Sequence, residues 1–241
     1  MRRSRVNPLI AIRNESKMVL TDYQIIRMIP SLQRQITEHC EPAWGIGAQI
    51  IFCENSAPRD AYQIVIYDKA RAKDDDGYLG YHFSKEGYPV SSIFALDDMN
   101  EDGTISDTLS HEILEMLVDP ACNMYAHRPA WGSRPGRGYF YEVCDPVQGL
   151  KYEIDGILVT DFVYPEWYED NWPADSRKFD HLGKVSRPFE VMGGGYAEIY
   201  ERGRKGKDGA FKTIWGRGSD ETHKKRHRRK AHRKTRGSGA D

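Results

Sequence analysis

The sequence predicts an α+β fold, and three observations carry that expectation. Apolar residues recur at helical spacing between Thr21 and Cys40, four short β-rich runs follow, and a much more apolar helical stretch lies at about 105–118. Beyond it the pattern changes to hairpins and ends in a basic tail. A chain of 241 residues is one domain with additions, or two small ones, and is long enough to bury a real core. The expected division is an N-terminal extension 1–17, a folded body 18–202 whose part 139–202 is rich in hairpins, and a tail 203–241.

In the first helix Ile25, Ile29, Leu32, Ile36 and Cys40 make one apolar face. Thr21 and Gln24 have the spacing of a capping box, Pro30 should kink or divide the helix, and Glu41-Pro42 should end it. Ala48 to Cys53 and Tyr62 to Tyr67 read as strands on either side of a polar stretch containing Pro58. Gly77 to Phe83 and Val90 to Ala95 read as two more, parted by the turn Lys85-Glu86-Gly87. The second helix is expected from about Ile105 to Val118, opened by Gly103-Thr104 or Ser106 and closed by Asp119-Pro120. Cys122 to Phe140, rich in Gly, Pro, Arg and aromatics, reads as a long loop. Lys151 to Ile154 and Ile157 to Asp161 flank Asp155-Gly156, a pair suited to a two-residue type I′ hairpin. A second hairpin is expected where Pro188 to Met192 meets Gly193-Gly194-Gly195 and Tyr196 to Tyr200. From Gly203 onward Gly and Lys/Arg dominate, which reads as increasing disorder.

The formal net charge of −1 hides an uneven chain. Nine of the 35 Lys/Arg and one of the 36 acids fall in 222–241, a tail of +8, which leaves 26 basic and 35 acidic residues, −9, in 1–221. No apolar run approaches the ~20 residues of a membrane span, and Pro8 to Ile12 is too short for the core of a secretory signal. The expected location is therefore a cytoplasm, without membrane contact. Cys40, Cys53, Cys122 and Cys144 form no CxxC pair and read as reduced, mostly buried thiols. Asp97 to Gly103 alternates acids like a calcium loop but has Thr108 at loop position 12, so it reads as a polar turn.

Chemistry concentrates on the second helix. At ~100° per residue, His111, Glu115, Asp119 and Glu112 share one arc of about 100°. Ile105, Leu109, Ile113, Leu114, Met116, Leu117 and Val118 fill most of the remaining circumference, as in a helix buried in a core. Burying an imidazole and three carboxyls is costly unless hydrogen bonds or a cation compensate them. His111 and Glu115 stand at i and i+4, close enough to chelate one ion, while Glu112 projects to the side where a bound water would lie.

Ser110-His111-Glu112-Ile113-Leu114-Glu115, then Asp119-Pro120, then Tyr141-Glu142-Val143-Cys144-Asp145, resembles a zincin-type metallopeptidase relative of the kind found among phage and prophage proteins. The resemblance covers roughly residues 20 to 200 and implies a zincin-like fold, a helix plus a four-stranded mixed sheet and a metal-motif helix. In that fold the strand before the motif helix, here Val90 to Ala95, is an edge able to hold an extended peptide. Where the usual zincin has a second His, this chain has Glu115. The remaining ligand is expected from Glu142 and/or Asp145, and Asp119 takes a supporting place beside the ligands or at the helix end. The cofactor implied is a divalent metal, zinc first, with Mn²⁺ or Ca²⁺ as the alternatives that a harder His/carboxylate set admits.

The expected activity is metallopeptidase cleavage of a peptide or protein, with Glu112 as general base toward a metal-bound water. The alternative is a catalytically inactive virion structural or assembly protein that keeps the fold and the metal. Tyr139, Tyr141, His127 and the aromatic run Tyr164 to Trp172 offer oxyanion donors without selecting one, and their blander readings are a surface His127 and a packed aromatic cluster. In the tail, Lys224, Lys225, Arg226, Arg228, Arg229 and Lys230 would contact nucleic acid nonspecifically, or an acidic partner such as a virion protein. If the protein is phage-encoded, its place is the host cytoplasm or the virion.

Overall fold

The computed structural model describes residues 7–70, 79–170, 178–203 and 208–218. They form a mixed α+β structure with one five-stranded mixed sheet, a four-stranded antiparallel sheet and a separate hairpin.

The chain opens with β1 (Leu9–Asn14), inside the segment expected to be an extension. Ile10, Ala11 and Ile12 are all fully buried, which is the signature of a central parallel strand covered on both faces. The first helix, α1 (Asp22–Arg34), is opened by the expected Thr21–Gln24 capping box. It runs through Pro30 instead of dividing there, becomes π-helical over Gln35–Cys40, and ends only after α2 (Glu41–Trp44), where Gly45 takes φ +66°. Two glutamines tie it down: Gln33 bridges the Ala48 carbonyl and the Ile50 amide, and Gln35 donates to the Thr160 carbonyl.

β2 (Gln49–Phe52), β3 (Tyr62–Tyr67), β4 (Gly80–Lys85) and β5 (Tyr88–Phe94) complete the sheet in the order β2-β1-β3-β5-β4. β1 pairs in parallel with β2 and β3, and β3 with β5, whereas β4 returns antiparallel to β5 through Glu86-Gly87, both at positive φ. The strand expected at the edge, β5, is therefore interior, and β4 is the edge. The reason is the tight Glu86-Gly87 turn, which folds β4 back outside β5.

Asp97 to Gly103 is no simple turn. It belongs to α3 (Ala95–Asp102), closed by Gly103 at φ +69°. Next comes α4 (Ser106–Val118), every residue of which is buried. It packs on β4 and β5 on one side and, on the other, against β9 (Ile157–Thr160), which forms with β8 (Lys151–Ile154) the expected type I′ hairpin. Asp155 and Gly156 adopt φ +50° and +76°, as that turn demands.

The stretch Cys122 to Phe140 is not one loop. It contains β6 (Tyr125–Arg128) and β7 (Arg137–Phe140), joined to β10 (Tyr196–Glu201) and β11 (Ala210–Trp215) in the order β11-β10-β7-β6. Pro188 to Met192 is not a strand, since Phe189 sits at φ +57°, and β10 pairs with β7 and β11 instead. β11 also places ordered structure inside the expected disordered segment; residues 219–241 lie outside the described residues. Among the described residues no helix is long and apolar enough to cross a membrane. All four cysteines are thiols outside any disulfide, three of them buried.

A second buried polar feature lies beside β9. Asp161 and Asp180 are fully buried, and Asp161 accepts from the amides of Phe162 and Leu182 while Asp180 accepts from those of Lys184 and Val185. Burial first, and then the neighbouring Asp180, raise the Asp161 carboxyl to about 8. The native state thus keeps a proton that the unfolded chain releases near pH ~4. Its stabilisation is whole below that pH and drains away as pH rises to about 8. Asp161→Asn retains the hydrogen bonds without the titration. Thermal melts across pH 5–8 should show a wild-type decline steeper than the variant's by on the order of 4 kcal/mol. Parallel declines would refute this assignment.

Candidate metal centre

Three pieces of chain converge on α4. The helix itself places His111 and Glu115 one turn apart, with His111 Nε2 2.7 Å from Glu115 Oε1. β7 then leads into the segment 141–147, whose 3-10 turn Asp145–Val147 returns beside the helix. There the Cys144 amide donates to Glu115 Oε1 at 3.2 Å, the Cys144 thiol approaches the His111 carbonyl at 3.8 Å, and Asp145 Oδ1 lies 3.2 Å from His111 Nε2. From the edge strand β4 comes His82, with Nδ1 3.3 Å from Glu112 Oε2 and 3.8 Å from Glu115 Oε2, and Nε2 3.7 Å from Glu142 Oε2.

Two groups of side chains in this cluster are arranged to hold a metal ion: His111, Glu115 and Cys144, and His82, Glu115 and Glu142, each with donor atoms within 4.8 Å of one another. Glu115 belongs to both. Of the two downstream carboxylates expected from sequence, Asp145 stands beside His111 and Glu142 beside His82. Asp119 is fully buried at the helix end, where its Oδ2 accepts from the Met124 amide at 2.7 Å and holds the turn after α4.

His82 and Cys144 were not singled out as ligands by sequence. His82 is a lone imidazole in a strand, and no local spacing links it to a helix thirty residues away. Cys144 had a better signal, sitting between Glu142 and Asp145 in the quoted motif, but read as an ordinary buried thiol. Of the aromatic candidates, Tyr168 enters the cluster: it is buried, its hydroxyl has no protein hydrogen-bond partner, and burial followed by Glu142 and Glu115 pushes it well above the usual phenol range. Trp167 beside it is fully buried core, Tyr139 packs against Trp167 and Phe189, Tyr141 packs on Tyr168, and His127 is exposed on β6. The tail residues Lys224 to Lys230 lie outside the described residues.

The electrostatics are those of charge confined in a small volume. Burial raises Glu142 to about 8 against the pull of His82, with Glu115 adding to the rise. Burial and then Glu115 raise Asp145 as well. For His82, burial favours the neutral ring, but Glu142, Cys122 and Glu112 outweigh it and lift the imidazole well above its ordinary value.

Two glycines make room for this packing. A Cβ on Gly80 of β4 would lie 3.2 Å from Glu112 Oε1, so glycine lets that carboxylate sit against the edge strand. A Cβ on Gly195 would come within 2.5 Å of the Pro146 carbonyl oxygen and 2.8 Å of that of Asp145. The Gly193–Gly195 run thus seats the ligand-bearing turn, which is further held by the Met192 amide donating to Pro146 O at 2.9 Å. Two cavities of about 500 Å³ lie elsewhere, on a face lined by Arg128, Trp131, Arg134, Arg137, Arg187 and Arg217. Arg128 is paired there with Asp170, and Arg137 with Glu201.

Gly195→Ala tests the seat. The clash is with backbone, so the Asp145 turn must shift; metal affinity measured by competition with a chelator should fall about 10-fold or more, and stability by about 1–3 kcal/mol. An alanine variant with wild-type affinity and Tm would show that Gly195 does not seat the turn. Comparison of the chain with protein-family models, curated proteins and solved structures returns no match.

Proposed function

We propose that this protein is a metal-dependent hydrolase of the zincin type, a metallopeptidase in which His111 and Glu115 bind the ion and Glu112 is the general base. The observation that carries this reading is the convergence of His111, Glu115 and the 142–145 segment in one buried cluster flanked by an antiparallel edge strand. Nitrogen, carboxylate and thiolate donors together favour zinc over Mn²⁺ or Ca²⁺ as the ion beside His111. Such an ion, when bound, would lower the pKa of a water and polarise a carbonyl. Glu112, between His82 and Gly80, would take a proton from such a water and pass it to the leaving amine. Tyr168 supplies the hydroxyl for the developing oxyanion. β4, the edge of the sheet among the described residues, offers backbone groups for pairing with an extended peptide.

A second reading has its own observation. Every group in the cluster is buried, as in closed structural metal sites. On that reading the chain is a virion structural or assembly protein, active in the host cytoplasm or the particle, and the ion stiffens the junction of α4, β4 and the 142–147 segment. The basic tail then contacts nucleic acid or an acidic virion partner.

Metal analysis of purified protein and a peptide-cleavage assay separate the two. Glu112→Gln should retain the ion and lose turnover by about 10²–10⁴-fold, whereas His111→Ala should lose the ion. Metal retained without cleavage of any tested peptide favours the structural reading; wild-type protein free of metal defeats both. Truncation after Gly218 should abolish salt-sensitive DNA retention and leave metal content unchanged, and unaltered retention would remove the tail from that role.

A further inference from the structure

Resting on the metal-centre reading above, we propose that the cluster holds two divalent cations, with the Glu115 carboxylate bridging them. The two oxygens of Glu115 face different partners. Oε1 meets His111 Nε2 and the Cys144 amide, while Oε2 faces His82 Nδ1. The inner position is His111, Glu115 Oε1, Cys144 and Asp145; the outer one is His82, Glu115 Oε2 and Glu142.

One ion cannot use this inventory. Zinc takes about four donors at ~2.0–2.3 Å, so ligand atoms around one ion lie at most about 4.6 Å apart. The inner set already supplies three donors, with Asp145 3.2 Å from His111, and His82 with Glu142 is left over. These two do not satisfy each other: 3.7 Å between His82 Nε2 and Glu142 Oε2 is too long for a hydrogen bond. His82 is only 6 % exposed, and the Cys122 thiol lies against the same side chain. Glu112 lies 3.3 Å from His82 Nδ1 and helps to orient the ring, as carboxylates do beside metal-binding histidines.

Burial adds a demand: Glu115, Glu142 and Asp145 are carboxylates held away from water, which cations compensate. Because the outer set holds only nitrogen and oxygen, it suits a harder ion than the thiol-containing inner set.

The test is ion counting on the full chain loaded with Zn²⁺, and spin coupling on a parallel sample loaded with Mn²⁺, both freed of loose ions by gel filtration. Wild type should retain two ions per chain, and Glu142→Gln and His82→Ala one, with far-UV circular dichroism unchanged. The near-isosteric Glu142→Gln guards against a His82→Ala variant that fails to fold. The difference of one ion also cannot come from the tail histidines, which these variants leave alone. Two ions bridged by one carboxylate should give an exchange-coupled multiline electron paramagnetic resonance spectrum, collapsing to a single six-line signal in Glu142→Gln. One retained ion in wild type overturns the two-ion site and leaves the hydrolase reading standing, while none overturns both. Two uncoupled signals refute the bridge, and two ions persisting in Glu142→Gln refute the outer ligand set.

Discussion

A helix whose thirteen residues are all buried leaves no direction in which a carboxylate can reach water, so Glu112 and Glu115 must find compensation inside the protein. Much of the surrounding architecture serves that need. His111 lies one turn back on the same face, the Cys144 amide reaches Glu115 from the 142–147 segment, and His82 arrives from β4. Removing any one partner leaves charge in a medium of low polarity, which is why a single side chain, Glu115, ties three elements together. The helix in turn is fixed from behind, where Ser110 accepts from the Thr160 amide of β9 and Lys151 pairs with Asp107.

The sheet topology follows from the same requirement. Parallel strands β2, β1, β3 and β5 build a platform buried by Ile10, Ile12, Ile64, Ile66 and Ile93, and α4 packs across its end. Only a strand folded back at the edge can point a polar side chain at that helix without burying it beneath further strands. β4 does so through the Glu86-Gly87 turn, presenting His82 to the helix and Gly80 to Glu112. The second sheet has an analogous duty. β7 leads directly into Glu142, and Gly195 at the start of β10 packs on the carbonyls of Asp145 and Pro146.

How much of this could be read from the chain depends on how local each cause is. The capping box at Thr21, the Asp155-Gly156 turn and the buried character of α4 are set by residues within a few positions, and each is found where the pattern places it. His111, Glu115, Glu142 and Asp145 are likewise brought together. What escaped was non-local. β1 precedes the first helix yet lies mid-sheet, because its pairing with β2 and β3 depends on strands up to fifty residues away. The Arg- and Gly-rich stretch after Cys122 looked like loop because β6 and β7 are four residues each and owe their strand form to β10. His82 had no signal at all: its role exists only once β4 has turned back along β5.

The two donor groups that share Glu115 differ in their chemistry far more than in their burial. His111 and Asp145, on the inner side, are 1 % and 3 % exposed, while His82 and Glu142, on the outer side, are each 6 % exposed. One group offers imidazole, carboxylate and thiol from His111, Glu115 and Cys144, the other imidazole and two carboxylates from His82, Glu115 and Glu142. The outer position also adjoins Glu112 through His82, and Tyr168 responds to Glu142 before Glu115. On the metallopeptidase reading Glu112 and Tyr168 thus stand close to both groups, and Glu115, shared between them, is the residue on which either ion would depend.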